Sequence, residues 1–357
     1  MKLRMNLCCK NLLVGGYVVF STSGLALAQT SDSLPPSQST LRGESPSSGV
    51  SNDWRVSSKL SGPIRGFQLA TGEKNSETKD PLAQIDYSPS PSLEGTIYIG
   101  YKGIGFSYSH TLAAASLDSN RDLPSTKNEI FHLGLLLDHT LWEISSQKLS
   151  GMQTDLETAA FPQSKVRIAR TDMNYSDFRA RWVFGDPVWG GADRPNSLAN
   201  FYTSAVSPEV GDSSLDVLLS VEAGRQNIYA ESPFIPLARQ SAFGTASSLS
   251  QISSVGLGAG AGLGLTVLMH EHSFFSMAFL LGGNYNVSNA HYEDRIEDIS
   301  GFGVYTNTRV AVTFVFGQNE AQEIGFKALF DTWQIPAKEN TVAGFDAGMA
   351  MNYGVFF

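Results

Sequence analysis

From Leu82 to the carboxy terminus apolar and polar residues alternate with a period of two, and no helical period persists over that stretch. The last fifteen residues show it most cleanly. Ala343, Phe345, Ala347, Met349, Met351, Tyr353, Val355 and Phe357 form one face, and Gly344, Asp346, Gly348, Ala350, Asn352 and Gly354 form the other, with only Phe356 out of step. Leu215, Val217, Leu219, Val221 and Ala223 likewise oppose Asp216, Ser220 and Glu222, and Ile324, Phe326, Ala328 and Phe330 oppose Gly325, Lys327 and Asp331. Between polar breaks the pattern predicts twelve strands, at 92–101, 103–111, 129–138, 140–149, 174–184, 198–206, 214–229, 252–268, 273–288, 303–316, 320–334 and 341–357. Lipid on one face and a polar, small-residue lumen on the other would produce this alternation. The expected fold is therefore all-β, an antiparallel transmembrane β-barrel of about twelve strands. A soluble sandwich with one buried face alternates in the same way, but it seldom ends on an apolar strand closed by an aromatic residue.

The charge-free run Val255 to Met269 tests this reading. Gly256, Gly258, Gly260, Gly262 and Gly264 fall two apart, so a strand gathers them on one face, whereas a helix would scatter them at about 1 kcal/mol each relative to alanine. A dinucleotide loop is excluded too, since its glycines follow a strand and open a helix. A glycine-lined inner face leaves room for an inserted loop or a large neighbouring side chain.

The amino terminus has a different pattern. Lys2, Arg4 and Lys10 precede a short apolar core, Leu12 to Phe20, and Ala26-Leu27-Ala28 offers a small-residue cleavage site, so residues 1–28 read as a signal peptide cleaved after Ala28. The core is well short of the roughly 20 residues a spanning helix needs. Residues 29–81, rich in Ser and Pro at their start, read as a flexible periplasmic arm, and 82–357 as the barrel domain. Export of this kind places the chain in the outer membrane of a Gram-negative bacterium.

Composition narrows the chemistry. Loss of Lys2, Arg4 and Lys10 with the signal lowers 25 basic residues to 22 against 34 acidic ones, a net charge of -12, which argues against a nucleic-acid partner. The only cysteines, Cys8 and Cys9, leave with the signal, so no disulfide, thiolate metal site or thiol nucleophile is expected in the mature chain. His270-Glu271-His272 sits at a predicted turn with the wrong spacing for a helical zinc motif, and His291, Glu293, Asp294, Glu297 and Asp298 lack the spacing of a calcium loop. Both read as solvated loops. No local motif ties a serine to a histidine, so neither a catalytic residue nor a cofactor is assigned.

The inward-phase charges are more informative. Glu143, Asp177, Arg179, Arg181, Asp216, Glu222, Arg309, Lys327, Asp331 and Asp346 would share the lumen, and their mixed signs favour a salt-bridged interior over a strongly ion-selective pore. Turn lengths carry a warning. Tight turns near 102, 139, 270 and 318 should lie on one, periplasmic, rim. Counting back from the terminus puts the first two on the opposite side, so one strand is missing or superfluous between 150 and 251.

At Tyr101-Lys102-Gly103-Ile104-Gly105 the chain resembles a family of bacterial outer-membrane β-barrels known as domain of unknown function 4421, with further similar phrases at Tyr87-Ser88-Pro89, at Ile235-Pro236 and in the glycine-alternating strand from Val255. The resemblance implies an outer-membrane barrel over about residues 82–357 and carries over no catalytic residue. The expected role is non-enzymatic: small-solute passage, or a structural or surface role with loops supplying specificity. The alternative is a lipid-modifying outer-membrane enzyme such as a phospholipase or lipopolysaccharide deacylase. The partners expected are outer-membrane lipid and, during biogenesis, the barrel assembly machinery, for which Tyr353, Val355 and Phe357 form the candidate signal.

Overall fold

The computed structural model describes residues 54–71, 84–90, 92–101, 103–114, 126–137, 139–158, 161–190, 198, 213–270, 273–316, 322–336 and 340–356. They build one antiparallel sheet of thirteen strands: β1 (Trp54–Thr71), β2 (Gln84–Ser88), β3 (Ser92–Tyr101), β4 (Ile104–Ala114), β5 (Lys127–Leu137), β6 (Thr140–Thr158), β7 (Phe161–Gly190), β8 (Ser214–Tyr229), β9 (Gln251–His270), β10 (Ser273–His291), β11 (Ile296–Phe316), β12 (Gln322–Pro336) and β13 (Asn340–Phe356). β1 pairs with β13 from Arg55 opposite Phe356 to Thr71 opposite Asn340, which closes the sheet into a barrel without free edges.

Outward residues form the apolar band that a bilayer requires. Val255, Leu257 and Leu263 on β9 and Met277, Phe279, Leu281, Tyr285 and Val287 on β10 are all exposed, although a water-soluble fold would bury most of them. Aromatic pairs flank the rim that carries Trp54 and the end of β13, here the terminal rim. Trp54 lies 4.7 Å from Tyr101 and Trp142 6.1 Å from Trp182, centroid to centroid. Tyr285 and Phe302, 5.1 Å apart, stand nearer the opposite, loop rim. Amphipathic rings favour such interfacial positions.

The barrel tapers. β1, β3, β4 and β5 lead to β6 at the terminal rim and give a ring of twelve strands. Towards the loop rim, β2 takes over from β3 beside β1 and pairs directly with β6 at Tyr87–Thr154 and Ser88–Gln153. That shortcut bypasses the β4–β5 hairpin and leaves ten strands around the loop end. Barrel width grows with strand number, so this end is the narrower and easier to fill with side chains.

Two of the expectations need correction. Residues 54–71, assigned above to the flexible arm at 29–81, form β1. Trp54, Val56 and Leu60 face out and Arg55, Ser57, Lys59, Ser61 and Arg65 face in, so Ser57, Ser61 and Pro63, which suggest a linker, belong to the lumen face of a barrel strand. The strand expected at 198–206 has no place in the ring, because β7 pairs directly with β8 from Asn174–Tyr229 to Gly190–Ser214. Apart from Leu198, that stretch lies outside the described residues. Loss of that strand alone restores the parity, and β1 and β2, neither among the twelve expected strands, bring the total to thirteen. All four tight turns, near 102, 139, 271 and 319, now share the terminal rim, as the lengths demand.

Candidate functional site

The lumen is layered, and single strands carry every layer. On β7, Met173 and Tyr175 point into an apolar layer at the loop rim, Asp177, Arg179 and Arg181 into a charged middle, and Val183 into a second apolar layer near the terminal rim. β1 repeats the sequence with Leu69 and Phe67, then Arg65 and Lys59.

The segment after β8 completes the outer apolar layer. It folds inward through a 3-10 turn at Leu237–Arg239, a one-turn helix at Gln240–Phe243 and a second 3-10 turn at Gly244–Ser248. Phe234 and Leu249 are fully buried, and with Ile235, Phe243 and Ala246 they pack on Phe67, Tyr87, Met152, Met173 and Ile228 from the wall. Burying each such side chain is worth about 1.5–3 kcal/mol, enough to hold a segment with few ladder bonds of its own. Polar contacts fix its height. Arg170 Nη1 donates to the Phe234 carbonyl at 2.8 Å, and Tyr87 donates its hydroxyl proton to the same oxygen. Arg170 also grips Asp172 at 2.9 and 3.0 Å, and the Asp172 carboxylate accepts from the Ser232 hydroxyl at 2.7 Å and backbone N–H at 3.2 Å. Partial burial pushes the Asp172 carboxyl up, but the bonds from Arg170 and Ser232 outweigh it and hold the pKa down at about 2.

Below this plug, Tyr175 and Trp333 stack and roof a chamber of about 160 Å³. The chamber walls are ion pairs. Arg65 donates to Glu94 at 2.7 Å and to Asp346 at 3.1 Å, and Arg309 holds Asp331 by two bonds of 2.8 and 3.0 Å. Arg181 bridges Glu222 at 3.0 Å and Glu143 at 3.8 Å, and Arg179 lies 3.3 Å from Asp177. Nearer the terminal rim, Arg55 pairs with Glu323, which also accepts from Asn352 at 3.0 Å. Cross-strand pairing of this kind neutralises the interior charge at the cost of desolvation. Towards the terminal rim lies the second apolar layer: Tyr98, Leu141, Val183, Leu218, Ala278, Leu280 and Leu198, the last from the long β7–β8 connection.

The ten charges singled out in the sequence therefore gather in the lumen. Glu143, Asp177, Arg179, Arg181, Arg309, Asp331 and Asp346 line the chamber, Glu222 lines an adjoining cavity of about 30 Å³, Asp216 is fully buried, and Lys327 is half-buried in the inward phase of β12. The same reasoning missed Arg55, Lys59 and Arg65 because their strand had been read as an arm, and it passed over Glu94, His132 and Glu323. The signal was present, since all six occupy the polar phase of their strands. The glycine face of β9 is explained by Tyr305. Its ring lies against Gly258, Gly260 and Gly282, and its hydroxyl meets Ser220 at 3.1 Å.

Of the assembly-signal residues, Tyr353 is exposed and outward and Val355 is half-buried, while Phe357 lies outside the described residues, as do residues 1–28. Glu271 and His272 are also outside them. Among the loop acids, Arg295 pairs with Glu297 at 2.8 Å and with Asp294 at 3.2 Å, and Asn289 donates to Asp298. His132 stands between Ser107 and Ser145 in the ladder, with Nε2 3.3 Å from Glu143. This is the base-and-orienter half of a hydrolytic triad, but all four groups line the lumen, away from lipid.

No protein-family model and no curated protein matches the chain. Among solved structures, it is similar to the outer membrane protease OmpT from Escherichia coli (8% identity over 86% of this chain and 98% of that one, TM-score 0.39). The translocator domain of autotransporter NalP from Neisseria meningitidis is 10% identical over 86% and 89%, TM-score 0.36, and the toluene transporter TodX from P. putida 7% identical over 87% and 91%, TM-score 0.31. At these scores the fold assignment rests on the closed ring and its apolar band, which define an outer-membrane-type β-barrel.

Proposed function

We propose that this protein is a non-enzymatic barrel of the outer membrane of a Gram-negative bacterium. In this reading it is exported through a signal cleaved after Ala28, inserted by assembly machinery that reads Tyr353, Val355 and Phe357, and held in the bilayer with its loop rim outside. Its role is structural and surface-exposed, without an open pore. The observation that carries this choice over steady solute passage is the burial of Phe234, Ile235, Phe243 and Leu249 inside the loop end of the lumen. The second apolar layer, nearer the terminal rim, supports the same reading, since hydrophobic constrictions impede hydrated ions. The lipid-modifying alternative is the second reading because, among the described residues, the grouping of His132 and Glu143 with Ser107 and Ser145 lines the lumen, away from lipid. Purified full-length protein in planar bilayers tests the proposal: the expected result is no steady conductance, and a constant open channel at low voltage would overturn it. Turnover of phospholipid or lipopolysaccharide by the same preparation would overturn the non-enzymatic assignment.

A further inference from the structure

On the outer face the apolar band ends on charge along one sector of the wall. Read from the terminal rim towards the loop rim, β5 passes from Leu133 and Phe131 to Glu129 and Lys127, β6 from Trp142 and Ile144 to Lys148, and β8 from Leu219 and Val221 to Arg225. With β7 these strands are consecutive in the sheet. Lys127, Lys148 and Arg225 are exposed and make no ion pair with any described residue. Of the lysines and arginines whose side chains are described, they are the ones on the outer face of a strand. Glu129 stands opposite Lys148 in the ladder, so three bases face one acid there, in a chain that is acidic as a whole. Lys127 is the diagonal neighbour of Lys148, and Lys148 is opposite Ser176, which is opposite Asn227, the next outward residue after Arg225. Diagonal neighbours lie about 7–8 Å apart and two strand spacings make about 10 Å, a span that one lipid headgroup can bridge. The outward residues between Lys148 and Arg225 are small: Ser146 and Ser176 leave a shallow recess, with Phe178 opposite Arg225 at its lower edge.

We propose that this sector is a docking site for a lipid whose headgroup carries two phosphates, Lys127 and Lys148 holding one and Arg225 the other. The inference rests on the membrane placement proposed above. Long basic side chains at the edge of an apolar band lay their stems along it and lift their charged heads to the level of the lipid phosphates. A guanidinium meets two oxygens of one phosphate at once, and an ammonium has three donors to share. The hydroxyls of Ser146 and Ser176 add donors in the recess between them. Glu129 offsets one of the three charges and leaves two for the two phosphates. Directly beneath, Phe131, Ile144 and Phe178 are exposed and give the acyl chains an apolar wall, which a free phosphate ion could not use, so the ligand is a lipid.

Native mass spectrometry of the full-length protein in non-ionic detergent, titrated with diphosphoryl lipid A, tests this. A retained lipid is expected, with monophosphoryl lipid A bound several-fold more weakly and phosphatidylcholine more weakly still. Lys148→Gln and Arg225→Gln should each weaken retention of the diphosphoryl lipid about five-fold, the effect of one basic group at an anionic surface, and Lys148→Arg should keep it. Arg295→Gln removes a base from the turn between β10 and β11 and should change nothing. Equal retention of the three lipids, or the same loss in Arg295→Gln as in Lys148→Gln, would overturn the site. Should the glutamine variants fail to fold, the native chain decides: raised ammonium acetate should release the diphosphoryl lipid and spare phosphatidylcholine, and an equal response of both lipids sinks the proposal. Millimolar inorganic phosphate should not compete, and full competition would overturn the assignment to a lipid. Protein that stays dispersed without detergent would overturn the membrane placement itself, an outcome distinct from each of these.

Discussion

Tyr175 on β7 and Trp333 on β12 stack nearly parallel, 8° apart with centroids at 6.0 Å, although their strands stand on different walls of the lumen. The pair seals the apolar plug from the charged chamber, and Gly344, beside Trp333 in the ladder, is the residue whose missing side chain makes room for the indole. In a double-mutant cycle, Tyr175→Leu and Trp333→Leu should show a coupling of about 1 kcal/mol in unfolding free energy beyond their separate effects. Additive effects would mean that the stack carries no energy of its own.

The two-point bond between Arg309 and Asp331 should be costly to break from one side only. Arg309→Ala leaves a carboxylate in the lumen without its partner, and a loss of about 3 kcal/mol is expected from denaturant unfolding in detergent. Replacing both, Arg309→Met with Asp331→Leu, should recover most of that loss. A double variant as unstable as the single one would indicate that the pair contributes net stability instead of neutralising itself.

Gly282 lies under the Tyr305 ring, whose atoms are the nearest that a Cβ there would meet and with which it would collide. Gly282→Ala should therefore lower the unfolding temperature measurably, by a loss of about 1–3 kcal/mol as in other overpacked interiors. Adding Tyr305→Ser should restore a good part of it. Destabilisation that persists in the double variant would point to the backbone of β10.

Acid should release the plug. The Asp172 carboxylate is held at about pKa 2 against an unfolded value of 3.8, so its contribution is complete above about pH 4 and is lost as the pH falls through 2. Pepsin, corrected for its own pH-rate profile, should cut between 231 and 249 at pH 2 in the native protein but hardly at pH 4. Asp172→Asn should be cut at both. Equal protection of the native protein at the two values would show that apolar packing alone retains the segment.

Phe357 is expected to matter more to assembly than to packing, since chain ends fray. Phe357→Ser should leave signal cleavage intact and lower the share of processed chain recovered as protease-resistant protein in outer membranes at low expression. Unchanged recovery would remove this residue from the signal.

Period-two alternation made β3 to β6, the 174–184 part of β7 and β8 to β13 legible in the sequence, because a strand between lipid and polar lumen shows opposite chemistry on its two faces. It failed where that contrast fails. β1 offers Ser58 and Gly62 on its outer face and Pro63 in its interior, so the alternation of Trp54, Val56 and Leu60 against Arg55, Lys59 and Arg65 is diluted. Near the loop rim the inward residues turn apolar, as at Phe67, Leu69, Met173 and Ile228, and there no difference between the faces reports the phase. The plug was invisible for another reason. Its side chains are buried by walls up to 182 residues away in the chain, as Phe67 is from Leu249, and a local pattern holds no record of them. The charged middle was readable in type and phase, but the individual pairings depend on register.

The seam between β1 and β13 means that the barrel has no stable smaller version of itself. Seventeen consecutive residues of β1 find the partners on one of their two sides only in β13, at the other end of the described sequence. Every shorter nascent chain has two unsatisfied edges and an open lumen, so closure is a single late event that a truncation before Asn340 would forbid altogether. Until then the chain must be kept unfolded by other means.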